Sequence, residues 1–273
     1  MKPAALVKSW SVRRMRTGRS AAVEADVLAV EEPLELRVRG RAVAVIMRTP
    51  GHDPDLAAGF LLTEGVVRSP DDIYDLLQCR TTKRAEKGNV IEAVLAKDVP
   101  VDFESLTRHV FSGSSCGLCG KATIAAVQQR FPRIRRPLRV AAKVLWQLPA
   151  LLAEAQPTFK STGGLHATAL FDEQGTLLVA REDVGRHNAM DKVLGHAMRT
   201  GWLPLERHVL LVSGRVSFEI MQKALAARVS VVAGISAPTS LAAEFAQANN
   251  QTLVGFLRGD RLNVYAGRLA PAR

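Results

Sequence analysis

The stretch HVLLVSGRVSFEIMQKALAARVSVVAGIS, residues 208–236, decides the fold class of this chain. A short apolar run, HVLLVSG, is followed by the amphipathic segment SFEIMQKALAARV and then by a second apolar run, VVAGIS. Apolar runs of this length that alternate with helical patterns are typical of strand–helix–strand units in a partly parallel sheet. The stretch therefore predicts an α/β fold.

The segments on either side extend this pattern. Before it, HATALFDEQGTLLVARED indicates a strand hairpin that turns near Gln174-Gly175, and RHNAMDKVLGHAMRTG indicates a helix that ends at Gly201. After it, TSLAAEFAQANN predicts a helix, and TLVGFLRG and RLNVYAG predict two further strands. We therefore expect a mixed sheet covered by helices over residues 141–273, beginning with one helix in KVLWQLPALLAEA.

The first half of the chain predicts a smaller α+β region over residues 21–140. LELRVRGRAVAVIMR indicates a hairpin broken at Gly40, and HDPDLAAGFLLTEG indicates a helix with Asp53 as its N-cap. SPDDIYDLLQC predicts a second helix, and NVIEAVLA predicts a returning strand. Residues 1–20 contain four arginines and predict a flexible basic arm.

The composition limits the functional classes. The chain has 273 residues, of which 47% are hydrophobic and 23% are charged, as in ordinary globular proteins. It has no apolar run of the roughly 18 residues that a membrane span needs, and its N-terminal apolar segment is too short for a signal peptide. We therefore expect a cytoplasmic protein without a membrane partner.

The charge balance indicates an anionic partner, because the formal net charge is +11. Aromatic residues make up only 5% of the chain, too few for extensive stacking on single-stranded nucleic acid. We therefore expect no nucleic-acid partner. An anionic lipid and a phosphate-rich small molecule stay open as partners, and so does the interpretation that the arginine clusters are only solvated surface.

Polar loops follow the predicted parallel strands, and ligands of open α/β sheets bind beyond the carboxyl ends of strands. Small residues there let backbone N–H groups approach a phosphate, and arginines add a charged fork. The alternative interpretation is plain helix capping by Ser217 and Thr239. Taken together, the loops predict an anion site formed by three segments: Ser213-Gly214-Arg215, Ser236-Ala237-Pro238-Thr239-Ser240 and Arg258-Gly259-Asp260-Arg261.

A C-x-x-C pair, Cys116 and Cys119, lies in the glycine-rich segment SGSSCGLCGKA. Two cysteines supply only half of a tetrahedral zinc site. The zinc deaminase signature, H-x-E before P-C-x-x-C, also fails, because the histidine follows the cysteines and Thr168 stands where glutamate is required. We therefore expect no zinc. Dithiol redox exchange and sulfur transfer both stay open, since a helix N-terminus and Lys121 would favour a thiolate.

A second polar cluster lies in REDVGRHNAMDKVLG. One interpretation is structural, with Asp183 capping the helix and Arg186 paired with it. The other is a ligand-binding cleft with His187 near the ligand. The segment STGGLHATAL has a similar character, because its two glycines permit close backbone approach and His166 begins the strand that follows. The third cysteine, Cys79, is interpreted as a core residue. The cluster as a whole comprises Glu182, Asp183, Arg186, His187, Asn188 and Asp191.

A set of motifs resembles the FdhD family of formate dehydrogenase accessory sulfurtransferases over roughly residues 25–268: SSCGLCGK, TGGLHATAL, REDVGRHNAMDKVLG, LLVSGRVSFEIMQKA, GISAPTSLAAEFA and TLVGFLRGDRLNVYA. The resemblance implies a fold similar to that of cytidine deaminases, without their zinc site. It also implies a sulfur carrier that accepts sulfur from a cysteine desulfurase as a persulfide. The sulfur would pass to the bis(molybdopterin guanine dinucleotide) molybdenum cofactor of formate dehydrogenase.

The resemblance also implies roles for individual residues. Cys116 matches the persulfide cysteine and Cys119 the second cysteine of the pair. The molybdenum cofactor would be the bound substrate, with the catalytic subunit of formate dehydrogenase as a partner and a homodimer as the expected assembly. A cofactor-binding chaperone without sulfur turnover and a dithiol redox protein are the alternative functions. The segment matched to cofactor binding comprises Phe256, Leu257, Arg258, Gly259, Asp260 and Arg261.

Overall fold

The computed structural model describes residues 5–78, 88–107 and 131–271. Within these ranges no helix is both long enough and apolar enough to span a lipid bilayer. The strands are β1 (Val7–Arg16), β2 (Arg19–Ala29), β3 (Glu32–Val38), β4 (Arg41–Arg48), β5 (Ile73–Gln78), β6 (Val90–Leu95), β7 (His166–Asp172), β8 (Leu177–Asp183), β9 (His208–Val212), β10 (Val231–Gly234), β11 (Thr252–Arg258) and β12 (Arg261–Ala266). The helices are α1 (Asp53–Thr63), α2 (Phe103–Thr107), α3 (Ala142–Leu145), α4 (Leu148–Glu154), α5 (Pro157–Thr162), α6 (Arg186–Arg199), α7 (Phe218–Ala226) and α8 (Ser240–Ala248).

The basic N-terminal segment forms one strand of a hairpin. β1 pairs antiparallel with β2 from Val7 opposite Ala29 onward. Arg14 on β1 forms ion pairs with Glu24 and Asp26 on β2, so part of the basic charge is neutralised across the hairpin. The sequence predicted a flexible arm over residues 1–20. The pairing was not predicted, because most of the partner strand, β2, lies after residue 20.

A four-stranded sheet, in the order β4-β3-β6-β5, follows the hairpin. The predicted β3–β4 hairpin is confirmed, and Gly40 in its turn has a φ of 75°, a left-handed conformation that favours glycine. The predicted helix over α1 is also confirmed. Its N-cap is His52, however, and Asp53 binds the buried Arg48 through both carboxylate oxygens at 3.0 and 2.9 Å.

The helix predicted over SPDDIYDLLQC is wrong. The chain makes a single 3-10 turn at Pro70–Asp72 and then extends as β5, which pairs antiparallel with β6. The carboxylate of Asp72 accepts hydrogen bonds from the backbone N–H groups of Arg68 and Ser69 and so closes the turn. Pairing with a neighbouring strand then outweighs the local helical pattern.

A six-stranded sheet, in the order β12-β11-β10-β9-β7-β8, forms the second half of the chain. β9, β10 and β11 run parallel, while β7, β8 and β12 pair antiparallel with their neighbours. This arrangement confirms the predicted α/β fold with a mixed sheet covered by helices. The single helix predicted in KVLWQLPALLAEA is instead two helices, α3 and α4, because Pro149 begins a new helix and cannot continue the preceding one.

Two hydrophobic clusters cover the two faces of the six-stranded sheet. On one face, Leu210 of β9 shares a continuous cluster with Leu194 of α6, Leu61 of α1 and Leu36 of β3. This cluster therefore joins the two predicted regions of the chain. On the other face, Leu211 packs in a cluster with residues of α3 and α4.

Helices α1 and α6 cross at a pair of glycines. A Cβ atom on Gly59 would lie 1.9 Å from the backbone oxygen of Asp191, and one on Gly195 would lie 1.8 Å from that of Asp55. Both distances are far below van der Waals contact, so only glycine permits this approach. The crossing places α6 between the two sheets and sets the position of its polar first turn.

Candidate functional site

The ends of the three parallel strands meet at one edge of the six-stranded sheet. Backbone hydrogen bonds tie the following loops together: Val216 donates to Ala237 at 3.1 Å, Thr239 donates back to Val216 at 3.0 Å, and Phe256 donates to Ser236 at 3.1 Å. The three segments predicted from the sequence are thus brought together. We use the name strand-end loops for residues 213–217, 235–239 and 256–261, which overlap the predicted segments 213–215, 236–240 and 258–261.

The turn between β11 and β12 carries three of the four exposed charged residues of the strand-end loops. Arg258 and Arg261 face each other across the turn, and Gly259 between them has a φ of 54°. The guanidinium of Arg258 is exposed but held in place, because its Nε donates to the backbone oxygen of Ile235 at 3.0 Å. Asp260 in the same turn is exposed as well.

Phe256 opens this segment in an unusual conformation. Its φ is 51°, a region that bulky residues rarely occupy. Its side chain is 41% exposed, whereas the next residue, Leu257, is buried. The strained backbone therefore holds an aromatic ring at the surface beside the exposed arginines, and such strain concentrates at functional sites.

The capping interpretation applies to one of the two proposed residues. The side-chain oxygen of Thr239 accepts a hydrogen bond from the backbone N–H of Ala242 at 3.3 Å and so caps α8. The hydroxyl of Ser217, the N-cap residue of α7, is buried and has no hydrogen-bond partner among the residues that the structure describes. The N-terminus of α7 is therefore not capped by that side chain.

His166 and Arg186 lie together at the other end of the same edge. β7 runs antiparallel to β9, so its first residue, His166, reaches the loop after β9. A Cβ atom on Gly214 would lie 3.4 Å from Nδ1 of His166 and 3.7 Å from Cδ of Arg186. Burial lowers the pKa of His166, and the guanidinium of Arg186 acts in the same direction.

Asp183 binds several groups at the start of α6, but Arg186, its predicted partner, is not one of them. Its carboxylate lies 2.7 Å from the ammonium of Lys192, so the prediction that it pairs with Arg186 is wrong. It also accepts hydrogen bonds from the backbone N–H of Gly185 at 2.8 Å and from the side chain of Asn188 at 2.9 Å. Lys192, which is 1% exposed, was missed by sequence reasoning because it lies two turns along the helix.

Glu182, another member of the predicted cluster, has a structural role. Its carboxylate accepts hydrogen bonds from the backbone N–H groups of Thr158 at 3.0 Å and Phe159 at 2.7 Å. These groups belong to the first turn of α5, whose N–H groups have no partner within the helix. Glu182 therefore caps α5 and takes no part in the contacts of α6 described here.

Two contacts between polar side chains join α6 to α7, one helical turn apart. Nε2 of His187 lies 2.7 Å from a carboxylate oxygen of Glu219, and the two residues are 6% and 7% exposed. One turn further, Lys223 binds Asp191 at 2.8 Å and also donates to the hydroxyl of Thr63 on α1. Sequence reasoning missed Glu219 and Lys223, although their four-residue spacing matches that of His187 and Asp191.

The environment of Asp191 is that of a buried structural carboxylate. Burial raises the pKa of Asp191, while the ammonium of Lys223 and the hydroxyl of Thr63 act in the opposite direction. These bonds connect three helices, α1, α6 and α7, through one side chain. The role of Asp191 is therefore to hold the helices together.

The predicted catalytic cysteines, Cys116 and Cys119, lie outside the described residues, as do Lys121 and Cys79. The helix predicted in KATIAAVQQRF falls almost entirely in the same gap. The roles assigned to these residues stay predictions from the sequence. The described part of the site consists of the strand-end loops and the first turns of α6 and α7.

The sequence matches the FdhD/NarQ family over residues 29–270. Two curated relatives are named sulfur carrier protein FdhD. One, from Streptomyces coelicolor, is 48% identical over 94% of this chain and 92% of its own length. The other, from Saccharolobus solfataricus, is 41% identical over 95% of this chain and 96% of its own length.

A solved structure shows the same fold. It is the crystal structure of a candidate formate dehydrogenase accessory protein from Desulfotalea psychrophila. The TM-score is 0.74 over 96% of this chain and 97% of that chain, at 22% sequence identity. At this identity the likeness concerns the arrangement of the sheets and helices.

Proposed function

We propose a function from one premise: the chain belongs to the FdhD/NarQ family. In this proposal it is a sulfur carrier, a sulfurtransferase that serves formate dehydrogenase. Sulfur arrives from a cysteine desulfurase as a persulfide on Cys116, with Cys119 assisting. It then passes to the bis(molybdopterin guanine dinucleotide) molybdenum cofactor, which is the bound substrate.

The observation that carries the proposal is the group of exposed arginines on the strand-end loops. Arg215, Arg258 and Arg261 lie beyond the ends of parallel strands, where α/β sheets bind their ligands. The substrate carries several phosphates, and guanidinium groups form charge-assisted hydrogen bonds with phosphate oxygens. The arrangement therefore suits a large anionic ligand.

The guanine parts of the substrate fit the same turn. In the proposal, the exposed ring of Phe256 stacks on a guanine base, an interaction available to any base face. Asp260, three residues after the buried Leu257, accepts hydrogen bonds from the guanine edge. Gly259 has no side chain and lets the backbone of the turn approach the phosphates.

The loading step needs no external oxidant. The thiolate of Cys116 attacks the outer sulfur of the desulfurase persulfide, a new S–S bond forms, and the S–S bond of the donor breaks. The electron pair goes to the donor cysteine, which takes up the proton that Cys116 has lost. We place this reaction in the cytoplasm, in a homodimer without zinc, nucleic acid or a membrane partner.

Substitution of Cys116 by alanine tests the proposal. The protein is incubated with a purified cysteine desulfurase and radiolabelled cysteine, and the label on the chain is measured after non-reducing separation. We expect label on the wild-type chain and none on Cys116→Ala, whose stability should change by less than about 0.5 kcal/mol.

Measurements of formate dehydrogenase maturation and of the thiol redox state, made beside the labelling experiment, separate the alternative functions. A cofactor-binding chaperone would support full maturation of formate dehydrogenase by the Cys116→Ala protein. A dithiol redox protein would cycle between the dithiol and a Cys116–Cys119 disulfide without label on the chain. Either result would exclude the sulfur-carrier function.

A further inference from the structure

Arg186 is a half-buried cation for which the described residues provide no partner. Its Nε is buried and forms no hydrogen bond with any of them, and its guanidinium takes part in no ion pair there. Other arginines with little exposure are paired: Arg48 binds Asp53, and Arg181 binds Asp55. A buried polar group without a partner destabilises the folded protein. The position of Arg186 is therefore explained best by a bound ligand.

The location of Arg186 on α6 adds to this excess of positive charge. Arg186 is the first residue of the helix, and the first turn contains no acidic residue. The N-terminus of a helix carries a partial positive charge, which repels a cation and attracts an anion. Asp183, which precedes the helix, lies 2.7 Å from Lys192 and is already neutralised by it. An anion bound at Arg186 would therefore relieve a repulsion that the fold contains.

His166 contacts the same part of the loop after β9 as Arg186 does. A Cβ atom on Gly214 would lie 3.4 Å from Nδ1 of His166 and 3.7 Å from Cδ of Arg186, so both side chains flank this glycine. Burial lowers the pKa of the half-buried His166, and so does the guanidinium of Arg186. Thr168, on the same face of β7 as His166, is 1% exposed, and its hydroxyl has no hydrogen-bond partner among the described residues. Guanidinium, imidazole and hydroxyl groups can all donate hydrogen bonds to an anion.

These side chains are separate from the arginines of the β11–β12 turn. In the six-stranded sheet, β9 and β10 lie between β7 and β11, so β7 and β11 are three strand spacings apart. At about 4.8 Å per spacing, the two places are about 14 Å apart. A single phosphate group cannot contact both places, whereas a ligand with two separated phosphate groups can.

We propose that Arg186 and His166 form a second phosphate subsite at the sheet edge, on either side of Gly214. Its ligand is a diphosphate group, whose oxygens accept hydrogen bonds from the guanidinium and the imidazole. The inference rests on the proposed function for the identity of that ligand. The substrate contains two dinucleotide units: the diphosphate of one lies at the β11–β12 turn, and that of the other lies at Arg186. The subsite acts by binding alone, and no covalent bond is made or broken.

The test titrates the full-length protein with inorganic pyrophosphate while GDP is present at a saturating concentration. GDP occupies the β11–β12 turn, so pyrophosphate reports on the second subsite. Calorimetry should show that pyrophosphate still binds to the wild-type chain. Arg186→Ala should weaken this binding roughly ten- to a hundredfold, as expected for the loss of a charge-assisted hydrogen bond. Arg186→Lys, which keeps the charge but not the planar fork, should fall between the two. GDP affinity should be the same in all three proteins.

Three variants separate binding from folding. Because Arg186 loses no partner and lies at the positive end of α6, Arg186→Ala should melt at or above the wild-type temperature. Gly214→Ala brings a methyl group to 3.4 and 3.7 Å from the two side chains, which are ordinary contact distances. It should therefore weaken pyrophosphate binding without preventing folding. Arg207→Ala removes an exposed arginine at the other end of β9 and should bind pyrophosphate as the wild type does.

The inference fails if pyrophosphate does not bind to the GDP-saturated wild-type chain, or if Arg186→Ala binds it with wild-type affinity. It also fails if Arg186→Ala lowers the melting temperature and weakens pyrophosphate and GDP binding together, since that pattern identifies an arginine needed for folding. A wild-type chain that binds no GDP contradicts the proposed ligand site instead. The pyrophosphate titration then proceeds without GDP, and its dependence on Arg186 decides the second subsite alone.

Discussion

Charged side chains at the edge of the six-stranded sheet differ from those in the interior in what they bind. At the edge, Arg215, Arg258 and Arg261 are exposed to solvent. In the interior, buried carboxylates are bound to opposite charges, as in the pairs Asp183–Lys192, Asp191–Lys223 and Asp55–Arg181.

The difference shows which charges the fold requires. Removal of one partner from a buried pair leaves an uncompensated charge in the interior, so the loss of either partner destabilises the folded protein. An exposed arginine has water as its alternative partner, and its removal has little effect on folding. The edge arginines are therefore available to a ligand, and the predictions below test this division.

The largest effect is expected where α1 and α6 cross. Gly59→Ala would place a Cβ atom 1.9 Å from the backbone oxygen of Asp191, so the helices must separate and lose their close packing. We expect a loss of more than about 4 kcal/mol in the free energy of unfolding, measured by urea titration.

Gly201→Ala is the matched control for this glycine. Gly201 has a φ of 74°, but a Cβ atom there would meet nothing within 4 Å. Its substitution should cost only about 1–2 kcal/mol for the left-handed conformation. Equal losses for the two variants would show that the close crossing does not limit stability.

The next effect concerns a single buried charge. Lys192→Met leaves the carboxylate of Asp183 in the interior without its cation, and we expect a loss of about 3–5 kcal/mol in the free energy of unfolding. Arg207→Ala breaks an exposed pair with Glu173 and should cost at most about 1 kcal/mol. A loss below 1 kcal/mol for Lys192→Met would remove the distinction between buried and exposed pairs.

At the sheet edge, the effect should fall on binding. Arg258→Ala removes a charge-assisted hydrogen bond, which is worth on the order of 1.5–3 kcal/mol, so GDP affinity measured by calorimetry should fall roughly ten- to a hundredfold. The difference should shrink at high salt. Arg207→Ala removes the same charge at the opposite end of β9 and should leave GDP affinity unchanged. If Arg258→Ala binds GDP as the wild type does, the ligand site lies elsewhere.

The smallest effect is expected for sulfur loading in the same Arg258→Ala protein. In the proposal, loading requires the desulfurase and Cys116, whereas the ligand of Arg258 is the cofactor. The loading rate should therefore stay within about twofold of the wild-type rate, well below the tenfold change that 1.4 kcal/mol would produce. A combined loss of loading and stability would mean that the substitution damages the fold.

Elements with a clear local pattern of apolar residues could be predicted from the sequence. The hairpin of β7 and β8 and the helix α6 have apolar residues at the periods that a sheet or a helix buries, and those periods are visible in short stretches. The convergence of the strand-end loops could also be predicted, because parallel strands must end at the same edge of their sheet.

Elements whose secondary structure depends on a partner far away in the chain were predicted wrongly or missed. The segment Ile73–Gln78 has no strong period of its own, and pairing with β6 makes it a strand. The same holds for Val7–Arg16, which is a strand because β2 lies beside it. In the site, Glu219 carried no signal that would connect it to His187, 32 positions earlier in the chain.

The sequence by itself determined the alternation of strands and helices and the polar character of the loops at the sheet edge, since both depend on residues that are close in the chain. Only the tertiary structure decided which charges are bound in the interior and which are left at the surface. Burial makes a partner necessary for each interior charge. Which residue becomes that partner depends on how α1, α6 and α7 pack, and Gly59 and Gly195 set that packing by allowing two backbones to touch.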